Sequence, residues 1–268
     1  MRVPTLKLAT RIGVAAVALV LAQLAGTASP ASAALIGTTL GSQESYTRPE
    51  PTTVHEYNFT TGHNFWSVVA IRSQGTTDLN LATYDSSDAF LNLSFQGIDG
   101  DGFGTIDFVA TDSNGGRRAY PAGYNARVTR PVGGPSTWNY TTEFADPGKV
   151  LVPGPNTVEL ATPNRVVNVR DVWVPKNTTV TITAQPTVPG QYAEIFLMGS
   201  TSGQPGTYVQ GRGQAVAKAA APKPSKAATL TYTSTADRYY GFVIVNRMVP
   251  PTGALPPAGN YTVTVNLA

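Results

Sequence analysis

The sequence is poor in the residues that most often carry enzyme chemistry. It contains no cysteine and only two histidines in 268 residues. The chain therefore has no thiolate nucleophile, no sulfur-ligated zinc and no disulfide. Charged residues make up only 13% of the chain, whereas glycine and proline are frequent, with 26 and 21 copies. This composition excludes a coiled coil, a collagen-like repeat and a disulfide scaffold.

The residues that remain do not form a recognisable catalytic motif. His55 and His63 flank Glu56, but their spacing differs from the i, i+4 helical pair of a metalloprotease. Residues 199–203, Gly-Ser-Thr-Ser-Gly, place threonine where a nucleophile elbow needs serine, and no helical pattern follows. We therefore predict that the protein is not an enzyme. Scattered acidic residues in the first half leave a carboxylate-dependent hydrolase as an alternative.

The net charge of +3 comes from one end of the chain. Arg2, Lys7 and Arg11 lie in the first 33 residues, which contain no acidic residue. The other 235 residues hold 16 basic and 16 acidic side chains. A neutral remainder lacks the basic field that phosphate binding requires, so we expect no nucleic-acid partner.

The amino terminus has the pattern of an export signal. An apolar run over residues 12–25 follows the three basic residues, and Ala31, Ser32 and Ala33 come after it. This order predicts a signal peptide over residues 1–33 with cleavage after Ala33. The apolar run has 14 residues, fewer than the roughly 20 of a membrane-spanning helix. We expect a secreted protein with no membrane association after cleavage.

From residue 34 onward the hydrophobic period is close to two, which predicts β-strands. Near the carboxyl end every second residue is apolar, namely Tyr261, Val263, Val265 and Leu267. Residues 239–245 are instead apolar at nearly every position, which predicts a central strand covered on both faces. Short strands separated by glycine- and proline-rich turns predict an all-β fold of antiparallel sandwiches, jelly-roll or Ig-like.

The order of strand-like segments repeats along the chain. We therefore predict two tandem β-sandwich domains, residues 34–162 and 163–268. Residues 34–160 hold 7 basic and 13 acidic groups, and residues 161–268 hold 9 and 3, so the first domain is acidic and the second basic. Within the basic domain, the low-complexity segment 210–228 is predicted to be an exposed, mobile loop.

Several short motifs resemble the bacterial pre-peptidase C-terminal domain, a small β-sandwich appended to secreted peptidases. Thr77-Asp78-Leu79-Asn80-Leu81 is similar to its Asp-Leu signature, and Arg238-Tyr239-Tyr240 and Gly259-Asn260-Tyr261-Thr262 to its last two strands. The second half departs from the family at Ala193-Glu194-Ile195 and carries a long insertion. Such domains are usually attached to a catalytic domain, and the resemblance implies the β-sandwich fold more than any activity.

One glycine-rich segment is similar to the calcium loop of EF-hands, in which alternate residues supply oxygen ligands. Its candidate ligands are Asp99, Asp101, Thr105 and Asp107, with Asp85 and Asp88 as possible additions from a second loop. Phe103 stands at a ligand position, and Ala110 replaces the bidentate glutamate. A hairpin turn whose aspartates bond their own backbone is the alternative, so no cofactor is predicted beyond weak calcium.

These observations favour a secreted, non-catalytic protein that binds an extracellular or cell-wall partner, either a protein or a glycan. A crosslinked envelope component is the alternative, because Gln210 and Gln214 lie near lysines in the predicted loop. An exposed tryptophan could stack on a sugar ring. The three tryptophans, however, lie in strand patterns and are predicted to be in the core: Trp66, Trp138 and Trp173.

Overall fold

The structure is a computed structural model of the chain. It describes residues 36–37, 44–49, 55–59, 66–73, 78–85, 87–95, 106–112, 124–132, 137–145, 149–199, 209–248 and 254–268. The predicted signal peptide, residues 1–33, lies outside these ranges. All described residues belong to one compact unit, Ala34–Ala268.

The described residues are mainly β-strand, which confirms the all-β prediction. The strands are β1 (Ile36–Gly37), β2 (Glu44–Pro49), β3 (His55–Phe59), β4 (Trp66–Ser73), β5 (Asp78–Asp85), β6 (Phe90–Ser94), β7 (Ile106–Asp112), β8 (Tyr124–Val132), β9 (Thr137–Phe144), β10 (Val150–Leu151), β11 (Gly154–Leu160), β12 (Val167–Val174), β13 (Thr179–Pro186), β14 (Ala193–Met198), β15 (Val209–Gly211), β16 (Ala217–Ala220), β17 (Ala228–Thr233), β18 (Arg238–Asn246) and β19 (Gly259–Leu267). A short 3-10 helix spans Arg212–Gln214. Within the described ranges, no helix has the length and apolar character needed to span a bilayer.

The strands form four sheets, which we number in layers. Sheet 1 has the order β1-β3-β8-β5-β6, and sheet 2 has the order β15-β7-β4-β9-β2. Sheet 3 has the order β10-β12-β18-β14-β16, and sheet 4 has the order β17-β13-β19-β11. The pairing is antiparallel except for β1 with β3 and β10 with β12.

The two pairs of sheets have the same strand order. Strand by strand, sheet 1 matches sheet 3 and sheet 2 matches sheet 4, and each pair begins with a two-residue parallel strand. The exception is β15, which comes from the second half but pairs with β7 of sheet 2. The duplication stays a prediction, which this common order supports.

The predicted boundary at residue 162 does not coincide with the pairing. Strands β10 and β11 were assigned to the first domain, but they pair with β12 and β19 of the second. The change between the two sets of sheets lies between residues 145 and 149. Residues 149–155 contain β10 and the first residues of β11, which are edge strands of sheets 3 and 4.

Three hydrophobic clusters lie between the four layers. The first-half core, between sheets 1 and 2, includes Leu81 and Trp138. The second-half core, between sheets 3 and 4, includes Ile182 and Phe242. A third cluster, which we call the shared core, joins sheets 2 and 3 and consists of Trp66, Val68, Ala70, Ile106, Phe108, Ala110, Val166, Val167, Val169, Phe196, Met198, Val243 and Val245.

Strand β18 is buried on both faces from Tyr240 onward, as its sequence predicts, but Tyr239 at its beginning is exposed. Tyr240 and Phe242 point into the second-half core, while Val243 and Val245 point into the shared core. The outermost sheet is simpler, because β19 alternates between a buried and a solvent-facing side. Leu267 differs from the predicted pattern, since it is 36% exposed at the end of the strand.

A buried arginine also joins the two halves. The guanidinium of Arg72 donates to Asn139 Oδ1 at 2.8 and 3.2 Å, to the Asn246 carbonyl at 2.8 Å and to the Pro163 carbonyl at 2.5 Å. Burial lowers the pKa of Arg72 to about 9. Asn139 belongs to the first half, whereas Asn246 and Pro163 belong to the second. The hydrogen bonds of Arg72 therefore link the two halves.

The prediction of a mobile loop over residues 210–228 is wrong for most of that segment. Its first part forms β15 and the 3-10 helix, in which Gln210 and Arg212 are buried. The side chain of Arg212 bonds Glu194 at 2.7 Å and the Ile106 carbonyl. These contacts with β7 of sheet 2 and β14 of sheet 3 explain why the segment is polar and yet ordered, and the sequence alone does not reveal them. The lysines, by contrast, are exposed as expected: Lys218, Lys223 and Lys226.

Candidate functional site

The predicted calcium ligands are only partly described. Asp99, Asp101 and Thr105 lie outside the described residues. Asp107 is fully buried on β7, where its Oδ1 accepts a hydrogen bond from Ser94 Oγ at 2.6 Å. In the part of the chain that the structure describes, no three acidic, histidine or cysteine side chains are grouped as metal ligands.

The two additional aspartates shape a hairpin between β5 and β6. Asp85 Oδ1 accepts hydrogen bonds from the backbone N–H groups of Ser87 and Ala89, both at 2.9 Å. The bond from Ala89 is the main cause that lowers the pKa of Asp85. Asp88 adopts a positive φ of 71° and bonds Arg127. The Asp85 side chain is thus engaged in its own turn, whereas Asp88 bonds the neighbouring strand β8. The calcium and hairpin alternatives for residues 99–107 stay predictions.

An exposed aromatic pair stands out among the described side chains. Trp173 of β12 and Tyr239 of β18 are cross-strand neighbours in sheet 3. Their ring centroids lie 5.0 Å apart, and the ring planes are inclined by 63°. Trp173 is 43% exposed and Tyr239 is 49% exposed. The prediction that Trp173 lies in the core is therefore wrong, whereas Trp66 and Trp138 are buried as predicted.

Trp173 is exposed because sheet 2, which covers this face of sheet 3, does not extend to the end of β12. Along one face of β12, Val167 and Val169 belong to the shared core, Asp171 is still buried, and Trp173 is open to solvent. Side chains on a strand alternate between faces, so these residues share one face. The strand continues past sheet 2, and its last aromatic residue on that face is left exposed.

Trp66 of the first half forms the inner wall of this site. Its indole Nε1 donates to the Tyr239 carbonyl at 3.3 Å. Its ring lies against Gly241, where an added Cβ would come within 2.6 Å of the indole. Any side chain at residue 241 would displace the indole, so glycine is required for this contact.

Asp171 holds the main chain of the same tryptophan. Its Oδ1 accepts a hydrogen bond from the Trp66 backbone N–H at 3.1 Å, and the residue is only 2% exposed. Burial raises the pKa of Asp171 to about 7, with a further upward contribution from the Asp112 carboxylate and an opposing one from the Trp66 hydrogen bond. Since it is shielded from solvent, Asp171 positions Trp66 and does not reach a ligand on the aromatic rings.

Sequence reasoning missed this site although part of its signal was present. Trp173 and Tyr239 are out of phase with the inward-facing Val172 and Tyr240, so both lie on the opposite face of the sheet. The register that makes them neighbours, and the point at which sheet 2 stops, depend on tertiary packing. Of the two histidines considered in the sequence, His55 lies on β3 of sheet 1, and His63 lies outside the described residues.

No family model matches the chain, and no curated protein matches it. Solved structures resemble it only distantly. A "putative secreted protein" from Eubacterium rectale shares 7% identity at a TM-score of 0.24, with 80% of this chain and 68% of that one covered. The A223 turret protein of Sulfolobus turreted icosahedral virus shares 8% identity at 0.23, covering 85% and 99%. The VP2 subviral particle of infectious bursal disease virus shares 13% at 0.22, covering 94% and 76%. None of these three is a pre-peptidase C-terminal domain.

Proposed function

We propose that this is a secreted, non-catalytic protein that binds a glycan of the cell wall or extracellular matrix through Trp173 and Tyr239. The observation that carries the proposal is the exposed aromatic pair, which is anchored by Trp66 from the other half of the molecule. The signal-like amino terminus supports export.

The size and chemistry of the surface favour a sugar over a protein partner. A stable protein interface buries about 800 Å² on each partner and centres on a large apolar cluster. Here the exposed apolar surface consists mainly of the rings of Trp173 and Tyr239. Val152, which is also exposed, comes directly after β10, the strand that pairs with β12. Aromatic faces of this size suit the apolar C–H face of a sugar ring, and the phenol hydroxyl of Tyr239 can bond its hydroxyls.

The crosslinking alternative receives less support. An acyl-donor glutamine must be reachable by an enzyme, but Gln210 is 8% exposed and its Nε2 donates to the Gly199 carbonyl at 2.9 Å. Gln214 is exposed, yet its Oε1 accepts hydrogen bonds from Gly211 N at 2.8 Å and Asn92 Nδ2 at 2.7 Å. We therefore do not assign this function to the segment.

The test is binding of the secreted protein to a panel of cell-wall and extracellular polysaccharides, followed by titration calorimetry on the best one. We expect Trp173→Ala and Tyr239→Ala each to weaken binding at least tenfold, while the fold is retained because neither side chain belongs to a hydrophobic core cluster. Phe90→Ala is the matched control, since Phe90 is a 44% exposed aromatic residue on β6 and should leave affinity unchanged. Equal binding by all four proteins, or capture of proteins but no glycan, would contradict the proposal.

A further inference from the structure

The exposed aromatic pair is not flat. The ring planes of Trp173 and Tyr239 are inclined by 63° with their centroids 5.0 Å apart, which is an edge-to-face contact. In such a contact the edge of one ring covers part of a face of the other. The faces that stay open therefore point in different directions, and the two rings form a corner.

The backbone that carries this corner is fixed by two turns. The Lys176 N–H donates to Asp237 Oδ1 at 2.8 Å, and the Asn177 N–H donates to the Ser234 carbonyl at 2.8 Å. These hydrogen bonds join the turn after β12 to the turn before β18. The angle between the aromatic rings is thus held by the fold on both sides.

Val152 extends the surface on the other side of Trp173. Strands β10 and β12 pair in parallel register, with Leu151 opposite Val172. The next residue, Val152, therefore comes beside Trp173. Leu151 and Val172 belong to the second-half core, so alternation puts the residues that follow them on the opposite face of sheet 3. Val152 is 55% exposed there.

A single side chain fixes the position of Val152. Asn156 Oδ1 accepts a hydrogen bond from the Val152 N–H at 3.0 Å, and Asn156 Nδ2 donates to the Val152 carbonyl at 2.8 Å. The same amide nitrogen lies 3.2 Å from the Val263 carbonyl of β19, to which it also donates. An exposed valine held in this way is a preformed contact, because little conformational freedom is lost when a ligand touches it.

We propose that the site takes a single glycan chain across three strands, with one sugar unit against each of Tyr239, Trp173 and Val152. The inference rests on the proposed function and names the form of its ligand. Neighbouring strands lie about 4.8 Å apart, which is close to the length of one β-linked pyranose unit. A single chain follows the corner because its glycosidic bonds rotate, whereas the flat face of a crystalline polysaccharide cannot touch both rings at once.

The first measurement is the dependence of affinity on chain length. The secreted protein is titrated by calorimetry with soluble oligomers from chitin and from cellulose, each with one, two and three sugar units. We expect the disaccharide of one series to bind roughly tenfold more tightly than its monosaccharide, because the second aromatic ring buries further apolar area. The trisaccharide should bind more tightly again. Equal affinities along the series, or no binding to either series, overturns the inference.

The second measurement assigns the third contact. Val152→Ala should weaken binding of the trisaccharide about threefold and leave that of the disaccharide nearly unchanged, since the aromatic rings hold two units. Val216→Ala is the matched control. Val216 is 37% exposed but lies on the other face of sheet 3, where a Cβ added at Gly199 would meet both Val216 and Tyr240. An equal effect of Val152→Ala on both oligomers, or none on either, overturns the inference.

The third measurement separates a chain from a flat surface. Chitin and cellulose are each offered in crystalline form and in swollen, amorphous form. We expect retention of the protein on an amorphous form and not on its crystalline counterpart. Retention on the crystalline form that is as strong, or retention on neither, overturns the inference.

The proposed function is decided separately, by the polysaccharide panel and by Trp173→Ala. If the panel contains a ligand that depends on Trp173 but chain length and crystallinity have no effect, glycan binding stands and the single-chain inference is wrong. If Trp173→Ala keeps the native affinity for every glycan that is bound, the proposed function is wrong and the inference falls with it.

Discussion

The two halves of the molecule share a strand order but differ in how far each is self-contained. The second-half core is built entirely from second-half strands. The first-half core includes Val209, which β15 brings from the second half. The difference comes from one connection in each half. A short hairpin joins β5 and β6, whereas the connection at the same place in the second half, between β14 and β16, is longer and contains β15. The longer connection of the second half thus supplies an edge strand to a sheet of the first half.

Substitutions in the shared core should cause the largest loss of stability, because this core contains residues of both halves. Phe196 is fully buried against Phe108, with ring centroids 4.9 Å apart. Because each half supplies one ring, Phe196→Ala should destabilise the whole chain by about 3–5 kcal/mol in urea unfolding. Tyr239→Ala, at an exposed position, serves as the control. If Phe196→Ala unfolded one half in a separate transition, the halves would be less coupled than the packing indicates.

The second prediction concerns the carboxyl group of Asp171, which lies where the two halves meet. Asp171 has a pKa of about 7 when folded, against 3.8 as its ordinary value, so the fold binds its proton more tightly than the unfolded chain does. Its contribution to stability is fully present below pH 4 and is lost as the pH rises through about 7. Between pH 4.5 and pH 8 the native protein should lose about 3 kcal/mol relative to Asp171→Asn. Parallel stability curves for the two proteins would refute the predicted ionisation.

The ion pair between Arg212 and Glu194 should contribute less to the free energy of unfolding than these two groups. Its guanidinium bonds Glu194 at 2.7 Å and lies over the Phe196 ring at 5.3 Å. Removing it leaves a partly buried carboxylate, so Arg212→Ala should cost about 1.5–3 kcal/mol. Arg212→Ala combined with Glu194→Gln should recover part of that loss in thermal unfolding. No recovery in the double variant would mean that the ion pair is not the main contribution of Arg212.

The smallest expected effect lies on the outer face of sheet 4. Threonine hydroxyls pair across β13 and β17, with Thr181 and Thr231 at 3.2 Å and Thr183 and Thr229 at 3.0 Å. Exposed cross-strand pairs contribute about 0.2–1 kcal/mol, so Thr231→Ala should be only slightly destabilising. The single transition of the whole chain should persist. A loss as large as that of Phe196→Ala would indicate that this face is covered by a partner.

Much of the strand structure is readable from alternation. Val263 and Val265 of β19 are buried, as the period of two predicts, and β18 is covered on both faces from Tyr240 onward. The candidate site was not readable in this way. Trp173 follows the same alternation as buried residues, and its exposure depends on where sheet 2 ends. The predicted calcium site stays a prediction, because three of its four residues lie outside the described ranges.

The sequence by itself determined that the chain forms strands, which side chains share a face and which strand is central, because these properties follow from hydrophobic period and local turn residues. The tertiary structure decided what covers each face. Residues 209–211 form an edge strand because they pair with the backbone of β7, and an apolar tryptophan was left exposed because no layer covers it. Periodicity records the face of a side chain, whereas only packing between distant segments determines whether that face meets protein or water.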